Sequence, residues 1–259
     1  MSKKNVRINN MIDVIKSKNI ISIKELANLF SVSEMTIRRD LKVIEQNKIA
    51  YNKDGLLIYN PAHAVNKING EYNLSTALEK NDFEKMAIGK FAASLINEND
   101  IIIIDTGTTT EHIAQNLPEN KNLTVLCYNI NILMELRRKV GVQILFAGGY
   151  YHPNTQLFES FQGIQFIKSI RAHKVFISAA GVHKDLGLTC VESYEVPTKQ
   201  AILKSALQKI LVVDSSKFGI INSSYFCDLN DIDVIITDNK ISEEWKSTIA
   251  QLGIKLYTV

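Results

Sequence analysis

Two groups of residues in this 259-residue sequence have types and spacings suited to binding chemistry. The first is Asp105-Thr106-Gly107-Thr108-Thr109-Thr110, which follows an apolar run and opens a helical pattern. A glycine lets backbone approach a ligand, threonine hydroxyls and adjacent amides can donate, and a helix N-terminus favours an anion. The loop lacks the Gly-Lys-Ser/Thr of a triphosphate loop and the spacing of a dinucleotide turn, so the anion it suits is a monophosphate. Alone, such a turn is also an ordinary helix cap. Turns of the same character follow other apolar runs, however: Tyr128-Asn129, Ala147-Gly148-Gly149, Ser178-Ala179-Ala180-Gly181 and Asp214-Ser215-Ser216-Lys217-Phe218. There Lys217 would supply a fixed positive charge, and Asp105 or Asp214 would accept hydrogen bonds from sugar hydroxyls.

The second group is basic and lies near the N-terminus. In Ser33-Glu34-Met35-Thr36-Ile37-Arg38-Arg39-Asp40-Leu41-Lys42, helical spacing sends Ile37 and Leu41 inward and leaves Thr36, Arg38, Arg39 and Lys42 on exposed sides. Ser33, Glu34 and Thr36 would reach base edges in a major groove. Arg38 would pair with guanine or phosphate, and Arg39 and Lys42 would hold phosphates. Which arginine reads a base stays open.

The elements that must position these residues can be read from periodicity. Ile8, Met11, Ile12, Val14 and Ile15 mark a first helix over 5–18. Ser22 caps a second, in which Leu26, Leu29 and Phe30 share a face, and Ser33 caps a third over 33–45. Two short strands, 48–51 and 56–59, flank Asp54-Gly55, a hairpin signal, so residues 1–60 read as a winged helix-turn-helix. Those residues hold eleven of the thirty Lys+Arg and six of the twenty-seven Asp+Glu, a net +5, which leaves −2 for the rest. A segment that meets a polyanion carries such an excess. Residues 61–80 are polar and patternless and read as a linker. From 81 to 259, apolar runs at 101–104, 123–127, 142–146, 174–177, 210–213, 234–236 and 254–257 alternate with helical patterns at 84–96, 111–117, 129–139, 195–208 and 242–252. Strands apolar throughout and separated by helices imply an α/β domain with a mostly parallel sheet, whose ligands bind beyond the carboxyl ends of its strands.

The decapeptide Val32–Leu41, with its Ser-x-x-Thr-Ile-Arg-Arg-Asp-Leu, closely resembles the signature of the DeoR family of bacterial repressors. The resemblance extends along nearly the whole chain: Glu84-Lys85 with Ile88, the 105–110 loop, Gly148-Gly149, Glu195 with Lys199, and Asp214–Phe218 all sit where the family's sensor pattern has them. It implies a Rossmann-like sheet domain similar to ribose-5-phosphate isomerase, and it adds Glu195 and Lys199 to Asp105, Gly107, Thr108, Thr109, Thr110, Asn129, Gly148, Gly149, Asp214 and Lys217 as effector-binding residues. The two linked domains point to a homo-oligomer on double-stranded operator DNA, released by a phosphorylated sugar; the opposite sign, with the ligand as co-repressor or the protein as activator, stays open. Cys127-Tyr128, Gly148 through His152, Ser178 through His183 and Thr189-Cys190 look closest to the deoxyribonucleoside-responsive members, which points to deoxyribose 5-phosphate. The wing departs from the family's Gly-Gly-Ala, with Asp54-Gly55-Leu56 in its place.

Other classes are disfavoured by what the sequence lacks. The isomerases carry carboxylates in an Asp-Gly-Ala-Asp turn where this chain has Ser178-Ala179-Ala180-Gly181, so Glu195, beside Lys199 and Lys217, is left without acid–base partners and no enzyme is expected. Cys127, Cys190 and Cys227 are scattered, with no His or Cys cluster, so no metal or other cofactor is expected. No apolar run approaches a membrane span and no apolar stretch follows the basic N-terminus, so a cytoplasmic protein is expected.

Overall fold

The computed structural model describes residues 3–18, 20–46, 50–53, 55–59, 81–119 and 121–259. The chain divides into two compact units, Met1–Glu71 and Tyr72–Val259, each with its own core. The expected linker over 61–80 and Asp54 of the wing turn lie outside the described residues.

In the first unit, α1 (Lys3–Lys18), α2 (Ile23–Leu29) and α3 (Glu34–Gln46) pack around Met11, Ile15, Leu26, Ile37, Leu41 and Ile44, all fully buried. Ser22 and Glu25 close a reciprocal cap on α2: the Ser22 hydroxyl accepts from the Glu25 amide at 3.2 Å, and the Ser22 amide donates to the Glu25 carboxylate at 3.0 Å. Leu29 falls outside the core, because Ile23, Leu26 and Ala27 supply the inner face of this short helix. The wing is β2 (Ala50–Lys53) against β3 (Leu56–Tyr59), and β1 (Ile20–Ser22) adds a third antiparallel strand that three residues of sequence did not announce.

The second unit is built on seven parallel strands: β4 (Ile101–Ile104), β5 (Leu123–Cys127), β6 (Val142–Phe146), β9 (Ala172–Ile177), β12 (Ala206–Val212), β14 (Val234–Thr237) and β15 (Lys255–Thr258). Their order is β15-β14-β12-β9-β4-β5-β6. Alternation along β4 shows why its four isoleucines are needed: Ile103 enters one core and Ile102 and Ile104 the other. Helices α4 (Asp82–Ser94), α5 (Thr108–Gln115) and α6 (Ile130–Leu136) cover one face, and α7 (Phe161–Ser169), α8 (Val196–Ser205) and α9 (Glu243–Gln251) the other. The helix expected over 195–208 stops at Ser205, since Ala206–Val212 pairs with β9 from Ala206 onward. Two small antiparallel pieces stand at the sheet's rim: a hairpin of β7 (Tyr150–His152) and β8 (Leu157–Glu159), and a sheet of β10 (Gly181–His183), β11 (Gly187–Cys190) and β13 (Ser224–Cys227). Among the described residues no helix is long and apolar enough to cross a membrane.

Candidate functional site

In the first unit α3 displays its basic side outward. Ser33, Glu34, Arg38 and Arg39 are exposed, Thr36 is half-buried, and Ser33, Met35, Thr36, Arg38 and Arg39 line one shallow groove. Ser33 starts the helix: its hydroxyl accepts from the Thr36 amide at 3.3 Å and lies 3.0 Å from the Thr36 hydroxyl. Asp40 is fully buried and anchors α3 to α1, accepting from Arg7 Nε at 2.8 Å with a second guanidinium nitrogen at 2.6 Å. Within the Arg-Arg-Asp-Leu run, then, the arginines face out while the aspartate and leucine hold the helix in place. The side chain of Lys42 lies outside the described residues.

In the second unit the ends of β4, β9 and β12 open onto one cavity. Its lining includes Thr106, Gly107, Thr108, Thr109, Ser178, Glu195, Lys199, Asp214 and Lys217, together with Lys85 from α4 and Thr155 from the β7–β8 connection. Six of the expected residues besides Gly107 are thus brought to one place, although they are spread over more than a hundred positions in the chain. Asp105, Thr110, Asn129, Gly148 and Gly149 do not line it. Gly107 stands at φ +151°, and a Cβ there would sit 2.8 Å from the Ser178 hydroxyl, so the close approach of loop to strand end requires glycine.

Asp105, expected to face a sugar hydroxyl, is instead a buried brace with no exposed surface. One carboxylate oxygen accepts from the Tyr128 hydroxyl. The other accepts from the Ser178 amide at 2.9 Å, the Ser178 hydroxyl at 3.0 Å and Lys199 Nζ at 2.5 Å. Lys199 also donates to the Ser178 carbonyl at 3.1 Å. The physical reason is topological: β4 and β9 are neighbours, so the Asp105 side chain meets the end of β9 and the inner side of α8 before it meets solvent. Burial would lower the Lys199 pKa, but the Asp105 and Glu195 carboxylates outweigh it and hold the ammonium charged. Tyr128 is driven well above its ordinary pKa, first by burial and then by Asp105, and stays a neutral donor.

Glu195 closes a short turn, Ser193–Glu195, where its carboxylate accepts from the Glu192 amide at 3.3 Å. Burial pushes its pKa up to about 7, against the pull of Lys199 and with the help of Asp105. Asp214 shapes the last loop: it accepts from the Asn81 side chain at 2.9 Å and from the Ser216 amide at 3.1 Å. Ser215, at the start of that loop, donates its amide to Asp238 at 2.6 Å. Lys217 is half-buried, and Phe218 beside it packs against Trp245 with ring centroids 5.1 Å apart. Asn129 is buried behind Thr106 and donates to Asn131 at 2.7 Å. Gly148 and Gly149 serve the hairpin, where the Gly148 carbonyl accepts from the Ser160 hydroxyl at 2.7 Å.

Sequence reasoning singled out Ser178 only as the start of a strand-end turn and missed Lys85 and Thr155 as lining residues. Glu84-Lys85 was visible only through resemblance, and the Pro153-Asn154 turn signal before Thr155 marks a bend without saying that it reaches a cavity. Among the described residues no group of His, Cys, Asp and Glu could hold a metal ion.

A basic helix-turn-helix joined to an α/β unit with a lysine-bearing cavity at its strand ends defines a ligand-responsive DNA-binding regulator. Residues 7–57 match the DeoR-like helix-turn-helix domain, and residues 80–239 match the DeoR C terminal sensor domain. The chain belongs to the DeoR family. It is 29% identical over 255 residues to the deoxyribose operon repressor of Escherichia coli K12, covering 98% of each chain. It is 29% identical over 248 residues to the HTH-type transcriptional regulator GolR of Listeria innocua, covering 96% of each. To the HTH-type transcriptional repressor GlcR of Bacillus subtilis it is 29% identical over 247 residues, covering 95% of this chain and 93% of that one. Among solved structures, ribose 5-phosphate isomerase A of Methanocaldococcus jannaschii is similar at a TM-score of 0.38 and 14% identity, over 54% of this chain and 55% of that one. That likeness is too distant to bear on function.

Proposed function

We propose that this protein represses transcription by laying α3 in the major groove of operator DNA, and that a phosphorylated sugar in the α/β cavity releases it. The observation that carries the reading is the cavity itself. It brings the amides and hydroxyls of Gly107–Thr109, at the N-terminus of α5, together with Lys85, Lys199 and Lys217. Helix N-terminus, hydroxyls and ammonium groups together favour a phosphate. In this reading Glu195 and Asp214 receive the sugar's hydroxyls, while Asp105 holds Lys199 in place. Deoxyribose 5-phosphate is the favoured effector, because the chain matches the deoxyribose operon repressor along almost its full length. Ser33, Glu34 and Thr36 meet base edges, Arg38 meets a guanine or a phosphate, and Arg39 and Lys42 meet phosphates. A homo-oligomer sets two such helices on successive half-sites. To weaken operator binding tenfold, the effector must prefer the released state by about 1.4 kcal/mol.

One feature favours a second reading as a sugar-phosphate isomerase: Glu195 faces the cavity with a pKa of about 7, a value suited to a general base. Against it, both oxygens of Asp105 are engaged and the β9 end carries no carboxylate. The test is a thermal-shift titration with deoxyribose 5-phosphate, ribose 5-phosphate, fructose 6-phosphate and free deoxyribose. A ligand bound only by the folded chain raises the melting temperature once in excess over its Kd. Stabilisation by deoxyribose 5-phosphate alone supports the full proposal, and stabilisation by another sugar phosphate replaces the effector. Silence from all four overturns the cavity assignment, and turnover of ribose 5-phosphate would favour the isomerase.

A further inference from the structure

The β7–β8 hairpin is tied down at its tip. The Gln156 carbonyl accepts from the Ile130 amide at 2.9 Å and the Phe158 amide donates to the Tyr128 carbonyl at 2.7 Å, which fixes the hairpin to the end of β5. The Thr106 hydroxyl donates to the Thr155 carbonyl at 3.2 Å and joins the tip to the loop that opens α5. Thr155 is thereby held as a buried lining residue of the cavity. Its hydroxyl lies 3.2 Å from the Tyr194 hydroxyl, and neither group has another hydrogen-bond partner among the described residues. The Tyr194 ring stacks on His152 at 3.7 Å and 10°, and His152 Nε2 donates to the Glu159 carboxylate at 2.9 Å. Tyr194 is thus fixed twice, its ring by the imidazole and its hydroxyl by the threonine.

We infer that Thr155 is a ligand-contacting residue that donates a hydrogen bond to an oxygen of the effector's sugar, and that Tyr194 is the positioning residue that aims it. A phenol is a stronger acid than an alcohol, so Tyr194 donates to Thr155 and the threonine proton is the one left over. Burial pushes the Tyr194 pKa up to about 12, which keeps the phenol protonated for that task. The leftover proton sits on a buried side chain that finds no acceptor among the described residues, and a donor left unmet there is costly. An oxygen in the cavity meets it. Sugar rather than phosphate is the portion within reach, since Tyr194 adjoins Glu195 in one short turn and Glu195 receives sugar hydroxyls in the proposed function. The role deepens that reading and rests on the cavity holding a sugar phosphate. A hydroxyl already fixed before the ligand arrives also loses little freedom on binding.

The experiment is isothermal titration of the full chain with deoxyribose 5-phosphate, or with whichever of ribose 5-phosphate and fructose 6-phosphate stabilises wild type instead. Thr155→Val keeps the branched shape without the hydroxyl and should weaken binding about tenfold, the full worth of one neutral hydrogen bond. Thr155→Ser should restore it to within about threefold of wild type. Tyr194→Phe keeps the stack on His152 and should weaken binding roughly three- to fivefold. Added to Thr155→Val it should cost nothing more, because its effect passes through that hydroxyl, whereas a merely structural role would add. Fluorescence of Trp245 through a urea titration establishes that each variant is folded. A folded Thr155→Val that binds as wild type does, a Thr155→Ser as weak as Thr155→Val, or additive losses in the double variant would each overturn the inference. Inorganic phosphate as competitor tests the placement: its inhibition constant should be the same in wild type and Thr155→Val, and a rise in step with the sugar phosphate would overturn the sugar contact. If no sugar phosphate binds wild type, the cavity reading itself fails, a result distinct from a wild type and a Thr155→Val that bind equally.

Discussion

Replacing Glu195 by glutamine tests whether burial governs the site's electrostatics. Burial lifts the Glu195 pKa from 4.5 to about 7, so between those values the folded chain holds a proton that the unfolded chain releases. A carboxyl raised on folding makes stability fall as pH climbs through that window, and above it the whole penalty is present. At about 1.36 kcal/mol per unit, the penalty is on the order of 3 kcal/mol. Glutamine keeps an oxygen for the Glu192 amide and carries no charge at any pH. Glu195→Gln should therefore nearly equal wild type near pH 4, below both pKa values, and exceed it by about 3 kcal/mol near pH 8. Urea unfolding at both pH values reads this directly. Trp245 is the single tryptophan and lies in the α/β unit, so its emission follows that unit alone. A variant less stable than wild type at pH 8 would refute the reasoning, because attraction to Lys199 would then outweigh the cost of burial.

Further outcomes follow from the other contacts. Lys217→Ala should keep operator affinity but weaken sugar-phosphate binding by about tenfold or more, one lost charge-assisted contact; titration of Trp245 emission, reporting through Phe218, measures it. Arg38→Ala should lower operator affinity by roughly 10- to 100-fold in a gel-shift assay and leave effector binding unchanged. Gly107→Ala forces a Cβ toward Ser178 at a positive φ, and should destabilise the α/β unit by about 1–3 kcal/mol and abolish effector binding in calorimetry. Asp40→Asn removes the buried partner of Arg7. Since the Arg7 side chain is 23% exposed, the loss should stay near 2 kcal/mol, below the range for fully buried pairs, and show as earlier thermal melting of helical circular dichroism.

Periodicity made the helix-turn-helix legible because its contacts are local: Ile37, Leu41 and Ile44 lie within two turns of one helix, and the caps at Ser22 and Ser33 within three residues of what they bind. The parallel sheet was legible for a different reason, since a strand buried on both faces must be apolar throughout, as Ile101–Ile104 is. What stayed hidden depends on pairing at long range. Asp105 reads as a loop residue until Lys199 is brought against it across 94 positions. The β10, β11 and β13 strands are short and mixed in character, so pairing with one another defines them more than their own residues do. Lys85 sits on a helix whose one-sided pattern does not say which neighbour it faces.

Sheet order also sets a schedule. The helix-turn-helix leaves the ribosome as a local fold, complete before residue 60, whereas β4 must wait for β9 and the cavity for Lys199 and Lys217. At about 5–20 residues per second, roughly ten seconds or more separate the two events. During that interval, and permanently in any chain cut short within it, the DNA-reading unit exists without the cavity that the proposal makes its switch. A truncated product would therefore occupy the operator beyond the effector's reach wherever a lone recognition helix holds one half-site unaided.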